Sequence, residues 1–191
     1  PGPTGWNVAS PRFGLDDRVR FVSDDARRMP GLYELSHDGD ARAGARLTAR
    51  RLARRNSVDA NAPLDSLRTI YAEFDRTDPY TLRSDLYLGE GRARRRLSVG
   101  ERLSAPDAHP GSGRIVAVRT EPGTTDLVML DDPDGVPRTV VRGTLDRNWS
   151  DPRWSRDGRW IVASRWERGG RTSIVVLDTM GRERQRFAPD A

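Results

Sequence analysis

Apolar and polar positions alternate most plainly between residues 148 and 187, in four short runs that each end on turn chemistry. Trp160 to Trp166 and Ser173 to Leu177 are rich in Trp, Ile and Val, side chains that suit a pleated, half-buried surface. Asp157-Gly158 separates the first two runs, and that pair supplies the positive φ angles a tight hairpin requires. Gly169-Gly170 and Gly181 punctuate the others. The stretch predicts one four-stranded antiparallel meander of about 40 residues. So small a sheet cannot cover both of its faces, and it needs neighbours.

The neighbours lie upstream. Arg18-Val-Arg-Phe-Val, Arg68-Thr-Ile-Tyr-Ala, Arg114-Ile-Val-Ala-Val and Arg159-Trp-Ile-Val-Ala recur at steps of 50, 46 and 45 residues. A second apolar run follows each: Gly31-Leu-Tyr-Glu-Leu, Asp85-Leu-Tyr-Leu, Asp126-Leu-Val-Met-Leu and Ser173-Ile-Val-Val-Leu. Turn residues come next (Asp38-Gly39, Gly89-Glu-Gly91, Asp134-Gly135, Gly181), then a basic run ending on Leu47-Thr48, Leu97-Ser98, Val140-Val141 or Phe187. A proline precedes each first hairpin: Pro11, Pro63, Pro106 and Pro152. Four strands at a period of roughly 45 residues predict an all-β chain, a β-propeller of four-stranded antiparallel blades. The blades fall at about 6–48, 56–98, 103–141 and 148–187 of a single domain spanning 1–191. Every strand is used within its own unit, leaving none to stitch the first blade to the last. We therefore expect an open part of a larger propeller.

Two segments test that register. Residues 41–55 carry Ala, Leu and Arg, which favour a helix by propensity. Gly44 opposes one, and the repeat predicts an outer strand at Ala45–Thr48 followed by a connector. In the second unit the first turn, Leu64-Asp-Ser-Leu, lacks glycine, and Thr77-Asp-Pro-Tyr-Thr predicts a long loop between Glu73 and Asp85. No helix longer than two turns is expected anywhere.

With the strands placed, Asp151-Pro-Arg-Trp-Ser-Arg-Asp-Gly-Arg-Trp-Ile-Val-Ala-Ser-Arg and Ser173-Ile-Val-Val-Leu-Asp resemble the repeat of TolB-like β-propellers. The same WD-repeat-like unit occurs in the non-catalytic propellers of prolyl-oligopeptidase-like peptidases. The family pattern is Pro-x-Trp-Ser-Pro-Asp-Gly, an apolar strand, then Ile-Tyr-Val-Met-Asp and a Gly turn. Here Arg156 stands where the family has Pro, Phe13 where the fourth unit has Trp154, and Leu64 and Ala108 or His109 match only loosely. The resemblance spans about 10–187 and implies a protein-interaction scaffold, periplasmic or extracellular in a bacterium. It also implies an alternative, a substrate-gating propeller attached to a peptidase.

Composition removes other classes. The chain has no cysteine, which excludes disulfides and thiolate metal sites. The +5 net charge comes entirely from Arg, since Lys is absent, which reads as codon bias of a GC-rich genome rather than selection for phosphate contacts. No run of 18 apolar residues predicts a membrane-spanning helix. The chain begins at Pro1 rather than Met, so we expect a piece of a longer protein in which a missing signal peptide carries no weight.

Candidate chemistry is sparse. Arg18, Arg68, Arg114 and Arg159 could form a ring, but as hairpin-exit residues they are expected to be solvated. Trp149, Trp154, Trp160 and Trp166 could stack a ligand, yet Trp154 is expected in the core between blades. Asp131-Asp-Pro-Asp-Gly lacks the ligand spacing and closing Glu of a calcium loop. His37 and His109 fit no zinc motif or G-x-S-x-G triad and are expected in exposed turns, so neither catalysis nor a cofactor nor a metal is predicted. Arg42–Arg55 and Arg92–Arg96 could give weak, salt-sensitive nucleic-acid binding, but no interleaved aromatics accompany them. A protein partner is favoured instead. The turns between second and third strands vary most (Asp24–Pro30, Asp75–Ser84, Glu121–Thr125, Glu167–Arg171), so the partner-binding residues are expected on that rim: Arg27, Tyr80 and Arg168.

Overall fold

The computed structural model describes residues 6–188 apart from 15, 17, 26–27, 39–45, 53–56 and 91–92. Those residues form only strands, turns and coil. Blade 1 consists of β1 (Trp6–Phe13), β2 (Val19–Asp25), β3 (Arg28–Asp38) and β4 (Arg46–Arg51). Blade 2 follows with β5 (Ser57–Pro63), β6 (Arg68–Asp78), β7 (Thr81–Glu90) and β8 (Ala93–Arg96). Blade 3 holds β9 (Leu103–Ala108), β10 (Ile115–Glu121), β11 (Thr124–Leu130) and β12 (Arg138–Val141). Blade 4 ends the series with β13 (Arg147–Trp154), β14 (Trp160–Glu167), β15 (Arg171–Asp178) and β16 (Glu183–Phe187). Each sheet is an antiparallel meander of four consecutive strands, and the first strands pack in sequence, β1 on β5, β5 on β9 and β9 on β13.

Packing explains the two sequence patterns. In blade 3, Ile115, Ala117, Val128 and Leu130 join Ile70, Ala72, Leu86 and Leu88 of blade 2, while Val116, Val118, Leu127 and Met129 join Trp149, Trp154, Ile161 and Val175 of blade 4. Both faces are covered, so β10 and β11 are continuously apolar. Each Val, Leu, Ile or Met among them contributes roughly 1.5–3 kcal/mol on burial. In blade 4 only the face toward blade 3 is covered: Ile161, Ala163, Val175 and Leu177 are buried, whereas Trp166, Ile174 and Phe187 are exposed.

The repeated proline marks a bulge. The inner strands of blades 1, 3 and 4 shift register just where Ser10, Ala105 and Asp151, each preceding proline, adopt φ of 51, 46 and 50°. Proline cannot donate to a ladder, and an edge-strand bulge is where a sheet tolerates it. Blades are also fastened to their successors. Asp85, fully buried at the start of the second apolar run of blade 2, accepts the Gly100 and Glu101 amides at 2.8 and 3.1 Å. Asp126 does the same for the Gly143 amide at 2.8 Å, and Thr125 Oγ1 accepts from the Trp149 amide at 2.8 Å.

Two expectations need correction. The predicted long loop of blade 2 is a hairpin: β6 runs to Asp78, β7 starts at Thr81, and only Pro79-Tyr80 turn. His109 is not an exposed turn residue. Its imidazole meets Trp154 edge-on at 4.7 Å, and its Nδ1 accepts the Gly111 and Ser112 amides at 3.0 and 3.1 Å. The first turn of blade 2 replaces glycine with Asp65, whose Oδ1 accepts the Leu67 and Arg68 amides at 2.9 and 2.6 Å. The outer strand expected at Ala45–Thr48 is β4, Arg46–Arg51, and the remainder of 41–55 lies largely outside the described residues.

Candidate protein-binding rim

The β6–β7 hairpin outruns its neighbours. Its strands are 11 and 10 residues long against 7 and 7 for β10 and β11 of blade 3. Phe74 pairs with Ser84 and Arg76 with Leu82, continuing the face that carries Ala72 and Leu86 into the core with blade 3. Blade 3 stops short of that level, so the overhang is only partly covered. Phe74 is 44% exposed, Leu82 60% and Tyr80, at the tip, 97%. Local bonds hold the overhang in place. Asp78 Oδ1 accepts the Tyr80 amide at 2.8 Å across the turn, and the ring of Pro79 fixes its own φ there. Lower down, Asp75 Oδ2 accepts from the Tyr87 hydroxyl at 2.6 Å and from Arg96 at 3.3 Å. The Tyr87 hydrogen bond first, with Arg96 and Arg94 assisting, holds the Asp75 carboxyl below the usual carboxylate range. Burial and that same bond push the Tyr87 phenol well above its ordinary value.

Between the overhang and blade 3 lies a groove of about 480 Å³. Phe74, Thr81, Leu82, Arg83 and Ser84 line one side, and Arg102, Ser104 and Thr120 the other. Its lining combines the apolar Phe74 and Leu82 with hydroxyl-bearing residues and arginines, and Phe and Arg are among the residues enriched at protein-binding surfaces.

The expected rim residues divide three ways. Tyr80 crowns the overhang. Arg168 lies in the corresponding turn of blade 4, exposed, with its guanidinium 3.3 Å from Asp146. Arg27 lies outside the described residues. Reading the sequence passed over Phe74, Leu82, Arg83 and Arg102. The available signal was strand alternation continuing through Phe74-Asp-Arg-Thr-Asp into the turn, masked by Pro79.

Elsewhere the charged candidates are committed to one another. Arg18, Arg68 and Arg159 pair with Asp16, Asp65 and Asp157 of their own turns, and Arg114 with Asp131. The Ser155 hydroxyl first, then the guanidinium and amide of Arg159, keep Asp157 far below the usual carboxylate range. Asp131 and Asp134 of the acidic loop engage Arg138 and Arg95. Arg94 and Arg96 of the basic stretch bind Glu73 at 2.6 Å and Asp85 at 2.5 Å. Trp149 and Trp154 are buried, as expected of Trp154, while Trp166 is exposed. The side chain of His37 lies outside what the structure describes, although its backbone pairs with Leu47.

No family model and no curated protein matches the chain. Solved structures do. TolB from Acinetobacter baumannii superposes with a TM-score of 0.62 at 15% identity over 96% of this chain and 55% of its own. The chain is TolB-like in fold. A puromycin-hydrolyzing peptidase of Mycobacterium tuberculosis gives 0.65 at 16% identity, over 93% of this chain and 28% of that one. A structure of a nidogen/laminin complex gives 0.57 at 12% identity, over 95% and 80%. The chain thus spans little more than half of TolB and less than a third of the peptidase. Its neighbours include enzymes and non-enzymes alike, so the likeness speaks for the propeller and not for a reaction.

Proposed function

We propose that this chain is a non-catalytic propeller module that binds a partner protein, in the bacterial cell envelope, through the rim built around the β6–β7 overhang. One observation carries the reading. Phe74, Leu82 and Tyr80 stand in solvent on a hairpin that the blade frame does not need. A repeated frame that carries one extended, apolar hairpin is the arrangement of a rigid scaffold presenting a recognition element. Phe74 and Leu82 are already half-buried, so covering the rest of each against a partner supplies on the order of 1 kcal/mol. Pairing of Arg94, Arg95 and Arg96 with carboxylates weighs against nucleic acid, since phosphate binding needs uncompensated cations. The likeness to TolB supports the envelope placement, and the likeness to the peptidase propeller supports the second reading, a gating propeller for an attached peptidase.

A photo-reactive phenylalanine analogue at Tyr80 or Leu82, and at Asp157 on the opposite rim, tests this in intact envelopes. Adducts at the first two positions and none at Asp157 are expected. Adducts at Asp157 alone would show that the opposite rim binds.

A further inference from the structure

The rim reading leaves open how a partner engages the overhang. We propose that it does so by strand addition: an extended segment of the partner protein lies along the outer edge of β7, bonded to the backbone of Leu82 and Ser84, with an apolar side chain beside Leu82. The proposal rests on the rim reading and narrows it to one mode of recognition.

Its first support is an unfinished sheet edge. β7 is 10 residues long, whereas its outer neighbour β8 has 4 and pairs only with Tyr87 to Glu90. Just past β8, the Leu97 amide donates to the Leu86 carbonyl at 2.8 Å and the Leu86 amide to the Ser98 hydroxyl at 3.0 Å, so both backbone groups of Leu86 point outward. Backbone direction alternates with a period of two, and β7 pairs with β6 without a shift from Leu86 to Leu82. The N–H and C=O groups of Ser84 and Leu82 therefore point outward too, beyond the reach of β8, and nothing among the described residues bonds to them. The inner edge of the overhang differs. Ser57 still pairs with Glu73 there, and the Arg76 amide is taken by Asp75 Oδ1 at 2.8 Å.

The second support is a comparison with blade 3. Thr125 stands there where Ser84 stands in blade 2, one residue before Asp126, which matches Asp85 in binding a glycine amide of the following connector. The Thr125 amide donates to Asn148 Oδ1 of blade 4 at 2.8 Å. In blade 3 the place of Asn148 belongs to Arg102: Leu103 pairs with Arg119 as Trp149 pairs with Arg165, and each follows the residue in question. A guanidinium carries donors and no acceptor, so Arg102 cannot take the Ser84 amide as Asn148 takes that of Thr125. Blade 2 thus leaves open a bond that blade 3 closes, on the strand that the overhang prolongs. Leu82 and Ser84 also line the groove, and an added strand sends every second side chain to that face, where Leu82 favours an apolar one.

The test combines the photo-reactive phenylalanine analogue at Tyr80, in intact envelopes, with three substitutions. Leu82→Pro removes the outward N–H, and a sheet tolerates proline where the N–H faces away from its neighbour. Leu82→Ala loses the same side chain and keeps the N–H. Arg76→Pro, opposite Leu82 on β6, removes the N–H on the inner edge. The adduct should fall about tenfold further with Leu82→Pro than with Leu82→Ala, because an acceptor of the partner is left unmatched, and it should persist with Arg76→Pro. If Leu82→Pro and Leu82→Ala crosslink equally, or if Arg76→Pro alone abolishes the adduct, strand addition on β7 falls while the rim reading stands. If the unsubstituted chain gives no adduct at Tyr80, the rim reading falls and the proposal with it. Should Leu82→Pro lower the thermal stability of the chain, the α-hydroxy acid analogue of leucine at position 82 carries the same comparison, since it exchanges only the N–H for an ester oxygen.

Discussion

Asp107 is the side chain under most strain between opposing effects. It lies on the inner strand of blade 3, accepts the Trp154 amide of blade 4 at 2.7 Å and faces Arg12 of blade 1 at 3.5 Å. Burial pushes its carboxyl up to about 6, outweighing the Trp154 amide and the Arg12 charge, which pull it down. A carboxyl raised in this way binds its proton more tightly folded than unfolded, so its contribution falls as pH rises from about 4 to 6. Measured by urea unfolding against Asp107→Asn, the parent should lose on the order of 3 kcal/mol across that window. A relative gain with rising pH would overturn the assignment. A second residue-scale prediction concerns Gly158, which has φ 70° and a Cβ position that the His109 imidazole already fills. Gly158→Ala should cost about 1–3 kcal/mol through overpacking, and most of that should vanish on a His109→Ala background. Equal costs on both backgrounds would mean that backbone strain alone is at work. The histidine could not be placed from sequence, because nothing local says that Asp157-Gly158, 48 residues on, will close over it.

At the scale of elements, the period and the turn chemistry made nearly every strand legible. Residues such as Ile115 to Val118 and Ser173 to Leu177 carry their pattern locally, and propeller blades are local meanders. What escaped was the overhang, because Pro79 and Asp78 read as loop while the pairing of Asp75 with Arg83 and Arg76 with Leu82 depends on two strands meeting. Charge pairing escaped for the same reason: Glu73 and Arg94 are neighbours only once β6, β7 and β8 lie side by side. Since the overhang is supported mainly by its own turn and by Asp75, Tyr80→Ser and Leu82→Ser should change stability by less than about 0.5 kcal/mol, as surface substitutions do. Thermal unfolding checks this, and a loss above about 2 kcal/mol would mean that the hairpin is part of the core.

Across the whole molecule the blade interfaces are unequal. Among the described residues, blades 2, 3 and 4 share broad apolar cores, whereas the cluster between blades 1 and 2 is Leu32 with Tyr71 and Tyr87. Arg20 supplements it, buried and bonded to the Ser66 carbonyl at 2.9 Å, Asp16 at 3.0 Å and Glu34 at 3.3 Å. Burial raises the Glu34 carboxyl, but Arg50, Arg20 and Arg18 together bring it below the usual range. A pairing of this kind stabilises above the unfolded value and is lost on acidification. Stacked repeats exchange contacts mainly with their neighbours, so blade 1 should open before the others. Hydrogen exchange followed by mass spectrometry should show β2 and β3 exchanging ahead of β10 and β11, and more so at acid pH. Uniform exchange across the blades would contradict it.

The basic runs have a consequence beyond charge pairing. They are the outermost strands, β4 with Arg46, Arg50 and Arg51, β8 with Arg94, Arg95 and Arg96, β12 with Arg138, and β16 with Arg184 and Arg186. Every blade therefore ends on an open row of backbone donors and acceptors, the template on which cross-β aggregates grow. Charged side chains on an edge, even when paired within their own blade, must shed water before a further strand can add, so the arginines act as gatekeepers against fibril growth.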